Sequence, residues 1–453
     1  MKLCGVTWGL FPSLQAAWLI SSEKWFNVKG IDYLKLTGGY EMSGNDNIDY
    51  YATRTYFSNF QFLDKATGLV LANIKNPKLQ WETTKRFNIG LQASLLNNRV
   101  NLALEYFNSK TDNLLTRKSV SDVTGLSTMW SNDGALSNKG VDFNINAMLV
   151  QHKDWRWQAG FSIGHYKNEI TSLPTSNLNI IRTYALNEDG SRGAETQIHG
   201  YTSSIYGSNN VLTAVGKAAG LFYGYKTAGV FATDAEAASA GKYGYLRYPT
   251  GLSEQPSRDF RAGDVHFVDQ NGDGWINEAD MVVIGDPNPD IYGNIFTSLS
   301  WKSLKLDVNF KYSLGNDVYN YQRSQLESLN TNWNQTTAAV NRWRYEGQKT
   351  DMPRAMYTTS DQWVNNERFS DRWIEDGSYL KLKNIRLTYK IPVNLSWLLG
   401  LSVWGECNNV FTISKYTGND PEFSAGNGVL YQGIDAGYLP QSRNFTLGVT
   451  INL

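Results

Sequence analysis

Apolar and polar residues alternate with a period of two along much of this chain, which is the mark of a half-buried β-strand. In "RVNLALEYFN", Val100, Leu102, Leu104 and Tyr106 share one face, while Asn101, Ala103 and Glu105 share the other. In "GVDFNINAMLV", Val141, Phe143, Ile145, Ala147 and Leu149 oppose Asp142, Asn144 and Asn146. "LKLDVNFKY" (304–312) and "NFTLGVTINL" (444–453) repeat the pattern. It predicts eleven strands, near 7–20, 32–42, 80–95, 99–110, 138–150, 155–169, 292–301, 304–313, 380–391, 401–411 and 444–453. Many reach the roughly ten residues that a tilted strand needs to cross a bilayer. In "YLKLKNIRLTYKI" the apolar parity flips between Leu382 and Ile385, which predicts a β-bulge near Asn384.

The connections alternate in length. Residues 21–31, 96–98, 151–154, 302–303 and 392–400 are short, whereas 43–79, 111–137, 170–291, 314–379 and 412–443 are long. Outer-membrane barrels have short periplasmic turns and long outer loops, while a soluble sandwich has no reason to put its long loops at one end. The expected fold is all-β, part of a transmembrane barrel, with 170–291 as its longest outer connection. Eleven is an odd count, and an open sheet leaves unpaired edges that are costly in lipid, so the expectation is half of a larger barrel.

Composition agrees. Aromatic residues make up 13% of the 453 positions, with 15 Trp and 26 Tyr, types that favour half-wet interfaces. Net formal charge is zero, which argues against a nucleic-acid partner. Two cysteines, Cys4 and Cys407, are too few for a disulfide framework. "MKLCG" has no apolar stretch before Cys4, so no targeting segment is expected there.

One stretch carries its own chemistry. "DVHFVDQNGDGWINEADMVVIGDPNPD" (264–290) places Asp269, Asn271, Asp273, Gly274, Asn277 and Asp280 at positions 1, 3, 5, 6, 9 and 12 of a calcium-type loop. Trp275 would add a backbone carbonyl. Ca²⁺ takes six to eight oxygens at such spacing. The plain alternative is an Asp/Asn/Gly turn that binds nothing, and a bound ion would be structural. Tyr223, Tyr225, Tyr243, Tyr245, Tyr248, Trp333, Trp343 and Trp363 fall in outer connections, where they would stack on sugar or simply pack the loops. Lys311, Arg386 and Lys390 lie on inward faces, as cargo guides or as solvated lumen residues. His152, His165, His199 and His266 form neither a metal pair nor a triad, and no nucleophile elbow or phosphate loop is present.

The residues also resemble a known family. "WGLFPSLQAAWLIS" (8–21), "LKLTGGYEMSGN" (34–45), "NPKLQWETTKRFNIGLQ" (76–92), "NDGALSNKGVDF" (132–143) and "GLFYGYKTAGVF" (220–231) match in order. So do the stretch through "VIGDPNPD" (283–290), "RWIEDGSYLKLKNIRLTYKIP" (372–392), "NNVFTISKYTGNDPE" (408–422) and "NFTLGVTINL". Together they resemble the C-terminal half of the barrel of SusC/RagA-type TonB-dependent transporters of Bacteroidetes outer membranes. The resemblance implies a 22-stranded barrel, of which residues 1–453 are the C-terminal part, without the plug and TonB box. It implies import of oligosaccharide or peptide cargo, a SusD-like surface lipoprotein as lid, the TonB complex as energy source, and outer-membrane lipid around the wall. Two other readings stay open: a non-transporting remnant, and a soluble, calcium-stabilised glycan-binding β-protein. A secreted glycan hydrolase is a distant third.

Overall fold

A computed structural model describes residues 8–452 except 49–50, 64, 127, 176–178, 187–191, 208–209, 243, 251–256 and 394–396. Eleven strands form one antiparallel sheet in sequence order. They are β1 (Ser13–Leu19), β2 (Ile31–Asn45), β3 (Glu82–Leu95), β4 (Val100–Ser119), β5 (Thr128–Gln151) and β6 (Trp155–Ser172), followed by β7 (Ile291–Trp301), β8 (Leu304–Leu314), β9 (Tyr379–Ile391), β10 (Gly400–Ser414) and β11 (Asn444–Asn452). All eleven coincide with the periodic segments. Within this chain β1 and β11 are each paired on one side only.

The register brings the apolar positions into continuous rows across the strands. One row runs Trp18, Leu36, Leu91, Leu104, Phe143, Ile163, Gly293, Tyr312, Leu380 and Ile413. Most of this face lies open: Leu104 is 44% exposed and Leu447, on β11, is 88% exposed, whereas Tyr312 is buried against the ladder. So wide an apolar surface is untenable in water and suits lipid. Near the short turns Trp155 stacks on Trp301 at 5.8 Å, and Trp157 and Tyr389 lie exposed nearby in the ladder. That is the place of an interfacial aromatic girdle.

The opposite face is polar. Its rows include Thr37, Gly90, Glu105, Asp142, Gly164 and Tyr292 in register. Gly164 is required there by the Tyr292 ring, since a Cβ would sit 2.5 Å from Tyr292 Cζ. The expected bulge is present: Asn309 pairs with Asn384 and Phe310 with Leu382, which leaves Lys383 as the extra residue.

One expectation needs correction. The segment 111–137 is mostly strand, because β4 and β5 run for 20 and 24 residues. Strands of that length outrun the bilayer and stand as a ribbon beyond it, joined by rungs such as Thr116–Ser131 and capped by Arg117 over the Trp130 ring at 4.8 Å. The other long connections carry short strands and helices of their own. Residues 179–186, 192–203, 211–214, 221–224 and 282–285 form a five-stranded sheet. Strand Asp317–Asn320 lies between Ile374–Asp376, of the same β8–β9 connection, and Ile434–Asp435 of the β10–β11 connection, so two connections share one small sheet. Cys4 lies outside the described residues, and Cys407 is a free thiol.

The two faces should respond oppositely to charge. Leu104→Arg, on the lipid face, is expected to cost about 2–4 kcal/mol of folding stability in liposomes, and Asn144→Arg, on the polar face, close to nothing. Urea unfolding of the whole protein in vesicles measures both. Equal costs would refute the assigned faces.

Candidate functional site

The outer connections form a layer over the long-loop end of the sheet, held by charged groups buried between segments far apart in sequence. Asp264 is fully buried. Arg354 grips it with two bonds, Nε to Oδ1 at 2.7 Å and Nη2 to Oδ2 at 2.8 Å. Asn366 Nδ2 donates to Oδ1 at 3.0 Å and the Arg261 amide to Oδ2 at 2.8 Å. Asn366 Oδ1 in turn accepts the Val265 amide at 3.0 Å. With its lone pairs occupied, the carboxylate is tolerable in a low-dielectric interior. Arg368 is also buried, and its guanidinium lies 4.0 Å over the Tyr248 ring and 4.9 Å over Phe267. Both groups tie the β8–β9 connection to the β6–β7 connection. No local spacing announces either.

At the outer rim, Lys381 Nζ donates to Asp420 Oδ2 at 2.9 Å and to Glu422 Oε2 at 2.8 Å. Lys311 donates to Glu422 Oε1. Lys311 does face inward as expected, but its ammonium is engaged by the β10–β11 connection and is not free to guide cargo. Arg386 stands 3.6 Å from Glu406 and stacks at 4.0 Å on Trp404, so it too is partly engaged. Lys390 is exposed.

Most of the aromatic candidates pack the layer. Tyr223 is buried. Tyr225 meets Phe267 edge to face at 5.7 Å, Tyr245 lies under Arg261 at 4.1 Å, and Trp363 meets Tyr248 at 6.1 Å. Trp343 Nε1 donates to the Ala232 carbonyl at 3.2 Å. Tyr243 lies outside the described residues. Trp333 differs, at 69% exposed. The histidines stay apart: His165 Nδ1 is 2.6 Å from the Asp290 carbonyl, and His266 stacks on Phe231 at 4.4 Å, where burial lowers its pKa. His152 lies at the β5–β6 turn and His199 on strand 192–203.

The loop 269–280 is closed by Asx-type bonds. Asp269 accepts the amides of Gly272 and Gly274 at 2.7 and 2.8 Å. Asn271 accepts that of Asp273 at 2.9 Å, Asp273 that of Trp275 at 2.7 Å, and Asn277 that of Ala279 at 2.8 Å. Asp280 accepts Gln270 and Asn277 at 2.9 and 2.8 Å. Gly272 and Gly274 take φ values of +71° and +85°, which glycine adopts freely. Burial, reinforced by the Asp269 and Asp273 charges, pushes the Asp280 carboxyl up to about 7 against those amide bonds. Among the described residues no three His, Cys, Asp or Glu side chains form a metal-holding group. The observed bonds leave second lone pairs on the loop oxygens.

The rim contact has a pH signature. Burial works to raise the Glu422 carboxyl, yet Lys311 and Lys381 prevail and hold it at about 2, below its ordinary 4.5. A depressed carboxyl stabilises the fold above its unfolded value, and that stabilisation is lost as pH falls from 4.5 toward 2. Hydrogen exchange in residues 415–443 should therefore rise below about pH 4, and Glu422→Gln should abolish that step while the barrel strands stay protected. A pH-independent exchange pattern in this segment would contradict the ion pairing.

The chain is similar to several known proteins. TonB-dependent receptor P3 of Formosa agariphila is 29% identical over 456 residues, covering 98% of this chain and 42% of the relative. TonB-dependent receptor P26 of the same organism is 30% identical, covering 97% and 42%. TonB-dependent receptor SusC of Bacteroides thetaiotaomicron is 28% identical, covering 98% and 40%. The structure of the RagAB peptide transporter superposes with a TM-score of 0.72 at 23% identity, over 97% of this chain and 43% of that one, and shows the fold. No protein-family model matches. The chain thus spans about two-fifths of the length of the curated relatives it matches. An eleven-stranded sheet with a lipid face, a polar face and a folded outer layer agrees with these likenesses: the chain is similar to TonB-dependent receptors over about two-fifths of their length and has the fold of part of an outer-membrane β-barrel.

Proposed function

We propose that this chain supplies the C-terminal part of the wall and the outer mouth of a receptor that imports oligosaccharide or peptide nutrients. The observation that supports this most is the pairing of a lipid-facing apolar surface with a polar inner wall under a folded outer layer. A wall alone would not need an outer layer held by a fully buried carboxylate such as Asp264. A SusD-like surface lipoprotein is the proposed lid partner. The TonB complex is proposed as the energy source. No catalytic role is assigned, since the relatives are receptors by name and the histidines do not converge. The apolar surface weighs against the soluble glycan-binding reading, which predicts extraction by carbonate.

The test is uptake. Cells with and without the receptor are given labelled oligosaccharide and peptide pools, with and without a collapsed proton gradient. Loss of uptake of one pool on deletion and on collapse is the expected result. Undiminished uptake of both pools, or release of the protein by carbonate, refutes the reading.

We also propose that loop 269–280 takes a structural Ca²⁺ through Asp269, Asn271, Asp273, Asn277, Asp280 and the Trp275 carbonyl. Chelation should raise hydrogen exchange across residues 260–290 and leave β6 and β7 protected. No change in that segment would refute calcium binding.

A further inference from the structure

One aromatic side chain is left over by the packing. Trp333 is 69% exposed in an otherwise folded connection, at the edge of a cavity of about 350 Å³ lined also by Trp363, Asn330, Asn365, Gln325 and Glu367. Three features point to a ligand. Asn365 Oδ1 is shielded from solvent and has no hydrogen-bond partner. Buried acceptors are ordinarily satisfied, so an unmet one lining a cavity calls for a partner that donates to it. Asn365 is held at φ +54°, in the left-handed region, and such strain gathers at ligand clamps. Asn330 Nδ2 is fixed on Glu367 Oε1 at 2.6 Å, which orients an amide and a carboxyl side by side.

We infer that this cavity is a subsite for a neutral sugar ring. The inference rests on the import reading and narrows its cargo. A pyranose has an apolar C–H face that covers an exposed indole and a rim of hydroxyls that both donate and accept. The lining offers that combination: an indole, amides and a carboxyl, with no lysine or arginine to call for an anionic sugar or a peptide carboxylate. A peptide bound by strand addition needs an open strand edge. The adjacent strand Asp317–Asn320 is already paired on both sides.

Binding to the purified whole receptor tests this, with neutral hexasaccharides of glucose, mannose and xylose as probes and a pool of uncharged hexapeptides as the counter-probe. Tryptophan fluorescence and saturation-transfer NMR are the readouts. One hexasaccharide is expected to bind. Trp333→Ala should weaken it roughly tenfold and Asn365→Ala several-fold, while Trp333→Phe recovers part of the loss. Hydrogen exchange of β8 and β9 should be unchanged in each variant. The inference is overturned if no hexasaccharide binds, if Trp333→Ala binds as well as the native protein, or if the hexapeptides are the probe that Trp333→Ala weakens. Persistent peptide uptake by cells in those cases leaves the import reading standing. Absent uptake of either pool removes both.

Discussion

A backbone amide in hydrocarbon has no water to turn to, and this constraint organises the whole chain. Every N–H and C=O within the bilayer must be met by a neighbouring strand. Hence the ladder runs from β1 to β11 without a crossover, and each strand joins its neighbour in sequence. The two outer strands, β1 and β11, present an unpaired side within this chain, which the remainder of the barrel wall has to meet. Irregular backbone is confined to where water is present. On the side of the short turns there is little of it, and almost all of it gathers at the opposite end.

That segregation explains why the outer layer needs its own means of cohesion. It cannot use the lipid-facing surface, and its segments enter from five different strand pairs. Buried polar contacts supply the definition: Asp264 with Arg354 and Asn366, and Arg368 among aromatic rings. Removing one partner of such a pair typically costs about 3–5 kcal/mol, because the other charge is left buried alone. Apolar clusters around Phe260, Phe267 and Ile276 and around Phe222, Tyr319 and Trp373 fill the spaces between.

The strands were legible because their information is local. Alternation in "NLALEYF" or "LKLDVNFKY" needs no partner to be read, and the parity break beside Asn384 located the bulge to within one residue of Lys383. The overshoot of β4 and β5 was not legible. Beyond the bilayer both faces meet water, so residues such as Ser131 and Asn132 lose the alternation that marks a strand. The Asp264–Arg354 grip was illegible for another reason: its partners stand 90 positions apart and neither sits in a recognisable motif. Reading Lys311 as inward was right about the face and incomplete about the charge, because Glu422 arrives from a different connection. Of the aromatic candidates, type alone could not separate Tyr248, which packs under Arg368, from Trp333, which stays open.

Glu422 belongs to the connection between β10 and β11, yet it clasps lysines from β8 and β9. It works as a cross-stitch over adjacent staves of the wall. A hydrogen-bond ladder resists pulling neighbouring strands apart but yields to flexing about their long axes. A carboxylate anchored to two neighbouring strands at their outer ends opposes that flexing. The rim at this point is therefore stiffer than the ladder alone makes it, and a force on the loop is delivered to two strands at once. Movement of this part of the mouth is constrained to be that of a single plate, wall and loop together.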